Sequence, residues 1–503
     1  MKNFLISIGG TGAKCLESIL HSCIAGLGPE HLWVGMVDQD QANGNVSKAK
    51  ILLNKYIDLR ERLRTTGKDD VSIESDIFKT QITVNKDNAL WLPLKGADPK
   101  LSEVINYALL KPELKGLVDC LYDTQEREQN LSEGFRARPN IGAAAMLASV
   151  NEQDESFWQN IYSALEKARG GEEVRIFLIS SIFGGTGASG FPNIARKIKN
   201  IQNDMNVTGN VHIGGALLLP YFNYQVPNDF NEMHASPDEF LDQTRGALEY
   251  YSKLFQHQKI FDQVYVVGWE PLMKLDNFKI GGNLQNNPPL IPELYGALGA
   301  LRFFDEENKM SGDQQILHIG KSEDNEFRWS DIPNISSKID AKEKIVQLFK
   351  FAYSYHWLFS PALTKRTWKK FTNENWFKRH LDRSDVNLGT EAKQALVNDL
   401  KELSIDVIKW LSDLNLSSER GSGQKFNLLD ARSITNYDPK QFSDRIKLSE
   451  NLTTEQKKQF TELFYDSYNS SLRDVMANLS YLKKIKEQSG LGSFVDTLFR
   501  SCI

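Results

Sequence analysis

The 503-residue sequence predicts a doubly wound α/β domain built on a parallel sheet, then a central helix and a mainly helical C-terminal domain. Three observations carry this reading. Short apolar runs without polar alternation recur at 4–8, 33–37, 176–182, 213–219 and 264–267. Strands read that way when helices cover both faces of a parallel sheet. Segments of helical periodicity lie between the runs. Finally, the pentapeptide GGTGA occurs twice, at 9–13 and 184–188, each time between an apolar run and a helical segment.

In the first helical segment Cys15, Leu16, Ile19, Leu20, Cys23 and Ile24 share a face, with Lys14, Glu17, Ser18 and His21 opposite. Residues 41–133 read as a long, polar, partly helical insertion. After Pro289, LIPELYGALGALRFF (290–304) is the central helix, which closes a first domain spanning 1–305. Beyond it, 306–503 open with an expected hairpin, QILHIGKSEDNEFRWSDIP, followed by helical stretches at 338–360, 391–414 and 453–485. LSSERGSGQKF between the last two reads as a flexible loop.

Composition narrows the function. A 41% apolar, 25% charged chain is an ordinary globular composition, and a net charge of −5 argues against nucleic acid as the main partner. The four cysteines are scattered without a CxxC, so neither a disulfide framework nor a zinc site is indicated. No run approaches the roughly 18 apolar residues of a membrane span. The expected location is cytoplasmic.

The twin loops have a physical meaning. A loop that leaves a parallel strand and enters a helix presents backbone amides and the positive end of the helix dipole, and glycine lets the backbone approach a phosphate. Two such loops on neighbouring strands can grip a polyphosphate from two sides. GxxxxGK[ST] is absent, and a dinucleotide GxGxxG would need glycine where Cys15 stands.

The second loop, FGGTGASGFP, resembles the GGGTGSG signature of the tubulin/FtsZ superfamily. Gly184, Gly185, Thr186, Gly187 and Ala188 match, and Pro192 falls on that family's helix proline, while Phe183 replaces a small residue and Ser189 a glycine. Further resemblances follow in chain order. IGGTGAK stands where the family has its first nucleotide loop, and VDQDQ is similar to NTDAQ. GFRARPNIG resembles GAGANPEVG at Gly134, Ala137, Pro139 and Gly142, with Arg136 and Arg138 departing. LLLPYFNYQ looks like the PFxFEG sugar loop, and FDQVYVVGWEPL like VDTLIVIPNDKL.

The resemblance implies a divergent prokaryotic tubulin-like protein that binds GTP or GDP with Mg²⁺. It implies head-to-tail stacking into a homopolymer and hydrolysis of GTP at the subunit interface. The nucleotide-binding residues it implies are Gly9, Gly10, Thr11, Gly12, Arg138, Pro139, Asn140, Gly184, Gly185, Thr186, Gly187, Ala188, Ser189, Asn223, Trp269 and Asn287. Trp269 stands where the family has a base-reading asparagine, and Asn286 and Asn287 are candidates to replace that amide. Asp40, beside Asp38, is the metal candidate. NEFRWSDI (325–332) is the counterpart of the acidic loop NxDFADV that completes the neighbouring subunit's site, with Asp331 as the catalytic acid and Arg328 in place of a first acid. Asp331 also fits a plain turn residue before Pro333. The C-terminal helices are expected to carry subunit or partner contacts. Two alternatives stay open: a nucleotide-dependent scaffold without hydrolysis, and a Rossmann-type NAD(P) oxidoreductase.

Overall fold

The computed structural model describes residues 1–64, 76–85, 90–96, 98–135, 138–149, 156–224, 237–275, 282, 285–310, 312–321, 326–381, 387–416, 425–427, 475, 478–480 and 490–502. The first part of the chain forms β1 (Lys2–Ile8), α1 (Gly9–Ile24), β2 (His31–Val37), α2 (Gly44–Arg64), β3 (Gln81–Thr83), β4 (Leu90–Trp91), α3 (Leu101–Val104), α4 (Pro112–Leu121), α5 (Thr124–Glu128), α6 (Pro139–Ser149) and α7 (Ser156–Ala168). The middle forms β5 (Val174–Ser181), α8 (Gly185–Asp204), β6 (Val211–Leu218), β7 (Phe222–Tyr224), α9 (Pro237–His257), β8 (Gln263–Trp269), β9 (Met273–Leu275) and α10 (Ile291–Phe304). The last part forms β10 (Gln315–Lys321), β11 (Glu326–Arg328), α11 (Ala341–Ser354), α12 (Ser360–Ala362), α13 (Asn375–His380), α14 (Glu391–Leu416), β12 (Lys425–Asn427) and α15 (Leu491–Ser501).

The main sheet runs β10-β8-β6-β5-β1-β2-β3, with β4 also on β2, and every pairing is parallel. The predicted doubly wound sheet is therefore present. All eight residues of β5 are buried, which is why its sequence shows no polar alternation. Parallel pairing puts the strands' C-terminal ends, at Ile8, Val37, Ser181, Leu218, Trp269 and Lys321, along one edge. Loops leaving these ends meet there.

Two expectations about the chain's layout are corrected. Residues 315–333 form no hairpin: β10 joins the main sheet beside β8, with Gln315 opposite Gln263 and Lys321 opposite Trp269, while β11 pairs with β12 in a separate two-stranded sheet. The sheet thus continues past residue 305, and the hydrophobic core is continuous across it. Residues 41–133 are no simple insertion either, because α2 packs on α1 and β3 and β4 extend the sheet from β2. Most of the 453–485 stretch and of the 416–426 loop lie outside the described residues; 425–426 begin β12.

The face of α1 that carries Lys14, Glu17, Ser18 and His21 is buried, not solvated. The Trp410 ring of α14 stacks on His21 with centroids 4.7 Å apart, and its Nε1 donates to Ser18 Oγ at 3.3 Å. Glu17 pairs with Lys48 at 2.7 Å, and Lys55–Asp406 and Arg62–Asp399, both at 2.6 Å, tie α2 to α14. Among the described residues no helix is long and apolar enough to cross a membrane.

Trp410 therefore bridges the C-terminal helices to the helix behind the first glycine loop. Trp410→Ala should cost about 3–5 kcal/mol, the usual loss for a buried tryptophan. Urea unfolding checks this, and a loss below about 1 kcal/mol would show that the α1–α14 contact is dispensable.

Candidate functional site

Because β1 and β5 are neighbours, the two GGTGA loops leave the sheet side by side. Gly9 has φ +72°, a conformation open chiefly to glycine, and a Cβ on it would stand 3.3 Å from the amide nitrogen of Gly187. Gly12 and Gly187 serve a different purpose. A Cβ on Gly12 would lie 2.8 Å from the Ile179 carbonyl oxygen, and one on Gly187 2.7 Å from that of Ser181. These two glycines seat α1 and α8 against the strand backbones. Neither helix has a side-chain N-cap or an acidic residue in its first turn. Both positive helix ends are left for an external anion.

Asp38 follows β2 at the same edge and is 3% exposed. Its Oδ1 accepts from Thr186 Oγ1 at 3.1 Å and from the Asp40 amide at 3.2 Å. Its Oδ2 is buried with no hydrogen-bond partner among the described residues. Burial pushes this carboxyl up to about 7. Asp40, the expected metal ligand, is committed elsewhere: Oδ1 accepts from the Ala42 amide at 3.1 Å and Oδ2 from the Gly282 amide at 2.7 Å. Asp40 orders a loop, and Asp38 is the carboxylate aimed at the second glycine loop.

An asparagine cluster borders the first loop. A Cβ on Gly10 would be 3.2 Å from Asn43 Nδ2 and 3.4 Å from Asn45 Nδ2. Asn43 Nδ2 donates to Gln285 Oε1 at 2.7 Å, and the Asn287 amide donates to Asn45 Oδ1 at 2.9 Å. Asn287 thus joins this cluster through its backbone amide. Asn43 and Asn45 lie just beyond VDQDQ, outside any motif that marks them in the sequence.

Several expected ligands are placed otherwise. Arg138 is taken by Glu126, with Nη1 to Oε1 at 2.5 Å, so its charge is already paired. Pro139, Asn140, Ala188 and Ser189 line, with Arg138, a cavity of about 670 Å³ between α6, α8 and α9. Ser189 Oγ donates back to the Gly185 carbonyl at 2.6 Å. Arg136 and Ala137 lie outside the described residues. Asn223 is half-buried in β7 opposite Lys274 of β9. Trp269 is no base platform: it is buried against Tyr295 and Phe327, with ring centroids 5.9 and 5.8 Å away. An aromatic at a strand end packs wherever a helix covers it.

Asp331 is also corrected. It follows β10, whose C-terminal end lies on the same edge as the glycine loops, and the Tyr295 hydroxyl donates to its backbone carbonyl at 2.7 Å. Its carboxylate accepts from the Arg328 amide at 2.8 Å, closing its own turn. A residue on this edge cannot be the one that reaches a neighbour's loops in a head-to-tail stack.

Sequence reasoning missed a buried ion pair beneath the first loop. Lys14 of α1 pairs with Glu293 of α10, and both are buried. The Tyr221 hydroxyl donates to Glu293 Oε1 at 2.6 Å, the Leu290 amide donates to Oε2 at 2.8 Å, and Thr11 bonds to the Tyr221 oxygen. Lys14 sits in the second turn of α1, and nothing in its local sequence names Glu293 as its partner.

A family model described as tubulin like matches residues 4–236 of the chain. No curated protein and no solved structure matches it.

Asp38 makes stability pH-dependent. Its folded value near 7 exceeds the ordinary 3.8, so between these the folded state holds a proton that the unfolded state has lost. Its contribution is full below about 4 and is lost as pH rises through 7. In metal- and nucleotide-free buffer, the parent should lose stability relative to Asp38→Asn by about 1.4 kcal/mol per pH unit across that window. Parallel urea-unfolding stabilities from pH 5 to 8 would refute the assignment.

Proposed function

We propose, from the match of residues 4–236 to a family model described as tubulin like, that the chain is a tubulin-like protein that binds a guanine nucleotide, stacks head to tail and hydrolyses GTP between subunits. The observation that carries the reading is the meeting of two uncapped helix ends at Gly9 and Gly187, with Asp38 beside them. The amides of the two first turns would hold the phosphates. The asparagine cluster around Asn43, Asn45 and Asn287 would read the base, since amides supply both donors and acceptors.

The donor set fits Mg²⁺ at Asp38. Among the described residues no three His, Cys, Asp or Glu side chains gather as a metal site. One carboxylate with a spare oxygen, together with phosphate oxygens and water, is the way this ion is usually held. Bound there, it would neutralise developing phosphate charge. Thr186 orients Asp38, and Asp40 anchors the Gly282 amide.

Head-to-tail stacking needs an acid on the opposite edge of the sheet. The loop after α10 lies there: Arg175, at the start of β5, donates to the Phe303 and Asp305 carbonyls at 2.8 and 2.7 Å. This loop carries Asp305, Glu306 and Glu307. Asp305 Oδ1 accepts the Glu307 amide at 2.8 Å and Glu307 pairs with Lys338, whereas Glu306 is exposed and unpaired among the described residues. We assign the water-positioning carboxylate to Glu306. The scaffold reading draws on the pairing of Arg138 with Glu126, which removes one cation from the transferring phosphate.

Nucleotide released from purified protein should be GTP or GDP, and NAD(P) would end this reading. Asp38→Ala should weaken Mg²⁺-dependent GTP affinity by calorimetry on the order of 10- to 100-fold. An unchanged affinity would remove Asp38 from the site.

Turnover should rise with protein concentration as polymers pellet. Glu306→Gln should lower it by about 10² to 10⁴ with binding intact, while Asp331→Ala should keep parental turnover. The reverse pattern would restore Asp331, and binding without any turnover would support the scaffold.

A further inference from the structure

Helix α4 is tethered to the chain by its polar side. Leu114, Leu117, Val118 and Leu121 recur at i, i+3, i+4 and i+7 and share one face, yet no residue of the helix is buried. Leu114, Leu117 and Leu121 are 48%, 56% and 58% exposed. On the opposite face Asp119 accepts from the Tyr107 hydroxyl at 2.7 Å and pairs with Arg127. Arg127 lies 4.6 Å over the Tyr107 ring and donates to the Tyr122 carbonyl at 2.8 Å. The chain thus pins the hydrophilic side of α4 to itself and presents the apolar stripe outward. Contiguous exposed apolar surface of this kind marks an interaction site.

The same chain holds a matching groove. The cavity between α6, α8 and α9 is kept wide by Ala143, Ala188, Gly246 and Ala247, and Leu147 and Tyr250 stand exposed at its rim. We infer that the apolar stripe of α4 docks into this groove on a second copy of the chain, each copy giving its helix to the other across a two-fold axis.

Three features favour that occupant. Leu114 to Leu121 spans about 10 Å at 1.5 Å per residue, and i, i+3, i+7 anchors are how a helix fills a groove. The Tyr122 hydroxyl, just past α4, donates to the carbonyl of Asn140, which lines the groove, at 3.1 Å. The C-terminal end of each α4 therefore lies at the rim of its own groove, so one self-complementary patch contains both halves of the contact, as a two-fold interface requires. Charges also match: Lys111 and Glu113 flank the stripe and Asp242 and Arg245 flank the groove, all exposed, so α4 laid alongside α9 in the same direction meets the opposite sign at each place. A lipid surface would call for a net cationic polar face, whereas on α4 Lys115 is outnumbered by Glu113 and Asp119.

Cys120 on α4 is exposed and the other three cysteines are buried, which gives a direct test. Tyr250→Cys protein treated with a short bismaleimide should form a covalent dimer that neither the parent nor Tyr250→Cys/Cys120→Ser forms. Mixing the parent with Tyr250→Cys/Cys120→Ser should restore the link. Adding Leu117→Asp to Tyr250→Cys should cut its yield by about tenfold or more, since an unpaired carboxylate is costly in an apolar groove. Leu117 is exposed, so circular dichroism and GTP affinity should stay parental, which separates this outcome from any failure of nucleotide binding. A link formed within one chain, a link without Cys120, a yield unaffected by Leu117→Asp, or a parent monomeric by sedimentation at high concentration would each overturn the inference. So would Leu117-dependent binding to anionic vesicles without cross-linking, which would give the stripe to a membrane.

Discussion

The close approach of Gly9 to Gly187 is the contact on which the candidate site depends. It exists because β1 and β5 pair in parallel, Ser7 opposite Ile179, and because neither loop carries a side chain to hold the other away. Two helix ends of the same sign are thereby brought together, each equivalent to roughly half a positive charge. Like poles repel, and no acidic residue in either first turn offsets them. An anion that bridges both ends removes that repulsion, so binding and stability of this corner are linked.

The second constraint lies underneath. Lys14 places a buried cation in the second turn of α1, and Glu293 neutralises it from the first turn of α10. Burying such a pair is costly, and breaking it by losing one partner costs more. Tyr221, Thr11 and the Leu290 amide complete the network, so the first glycine loop, the loop after β6 and the start of the central helix are joined through one carboxylate. A displacement of any of them is felt by the others. Trp410 stacked on His21 extends the same rigidity along α1 to the C-terminal helices.

What the sequence made legible was whatever a short window can carry. The buried strands and both glycine loops read correctly because full burial and helix entry leave local patterns. β10 did not, because it is an edge strand with alternating exposure, Ile316 outward among them, and that alternation looks the same in a hairpin. Its partner β8 lies about fifty residues away and leaves no trace in its own residues. Glu126 sits outside the motif that holds Arg138, and a short window cannot show Phe327 and Tyr295 closing over Trp269. The burial of the polar face of α1 left no local trace, because its covering helix comes nearly four hundred residues later.

The all-parallel sheet makes the molecule's two ends chemically different, and this decides which residues a stack can bring together. The C-terminal edge gathers uncapped helix ends, Asp38 and the loop of Asp331. The N-terminal edge carries Asp305, Glu306 and Glu307, held by Arg175 and by Asn308, whose side chain bonds Gln263 at the start of β8. A heterologous interface joins unlike surfaces. In a stack that joins these two edges, the acidic loop of one subunit meets the positive helix ends of the next, and the electrostatics favour that contact over one that joins like edges. Asp331 fails as the donated acid because of topology, not residue type. One parallel strand placed after the central helix carried its turn to the wrong end of the sheet.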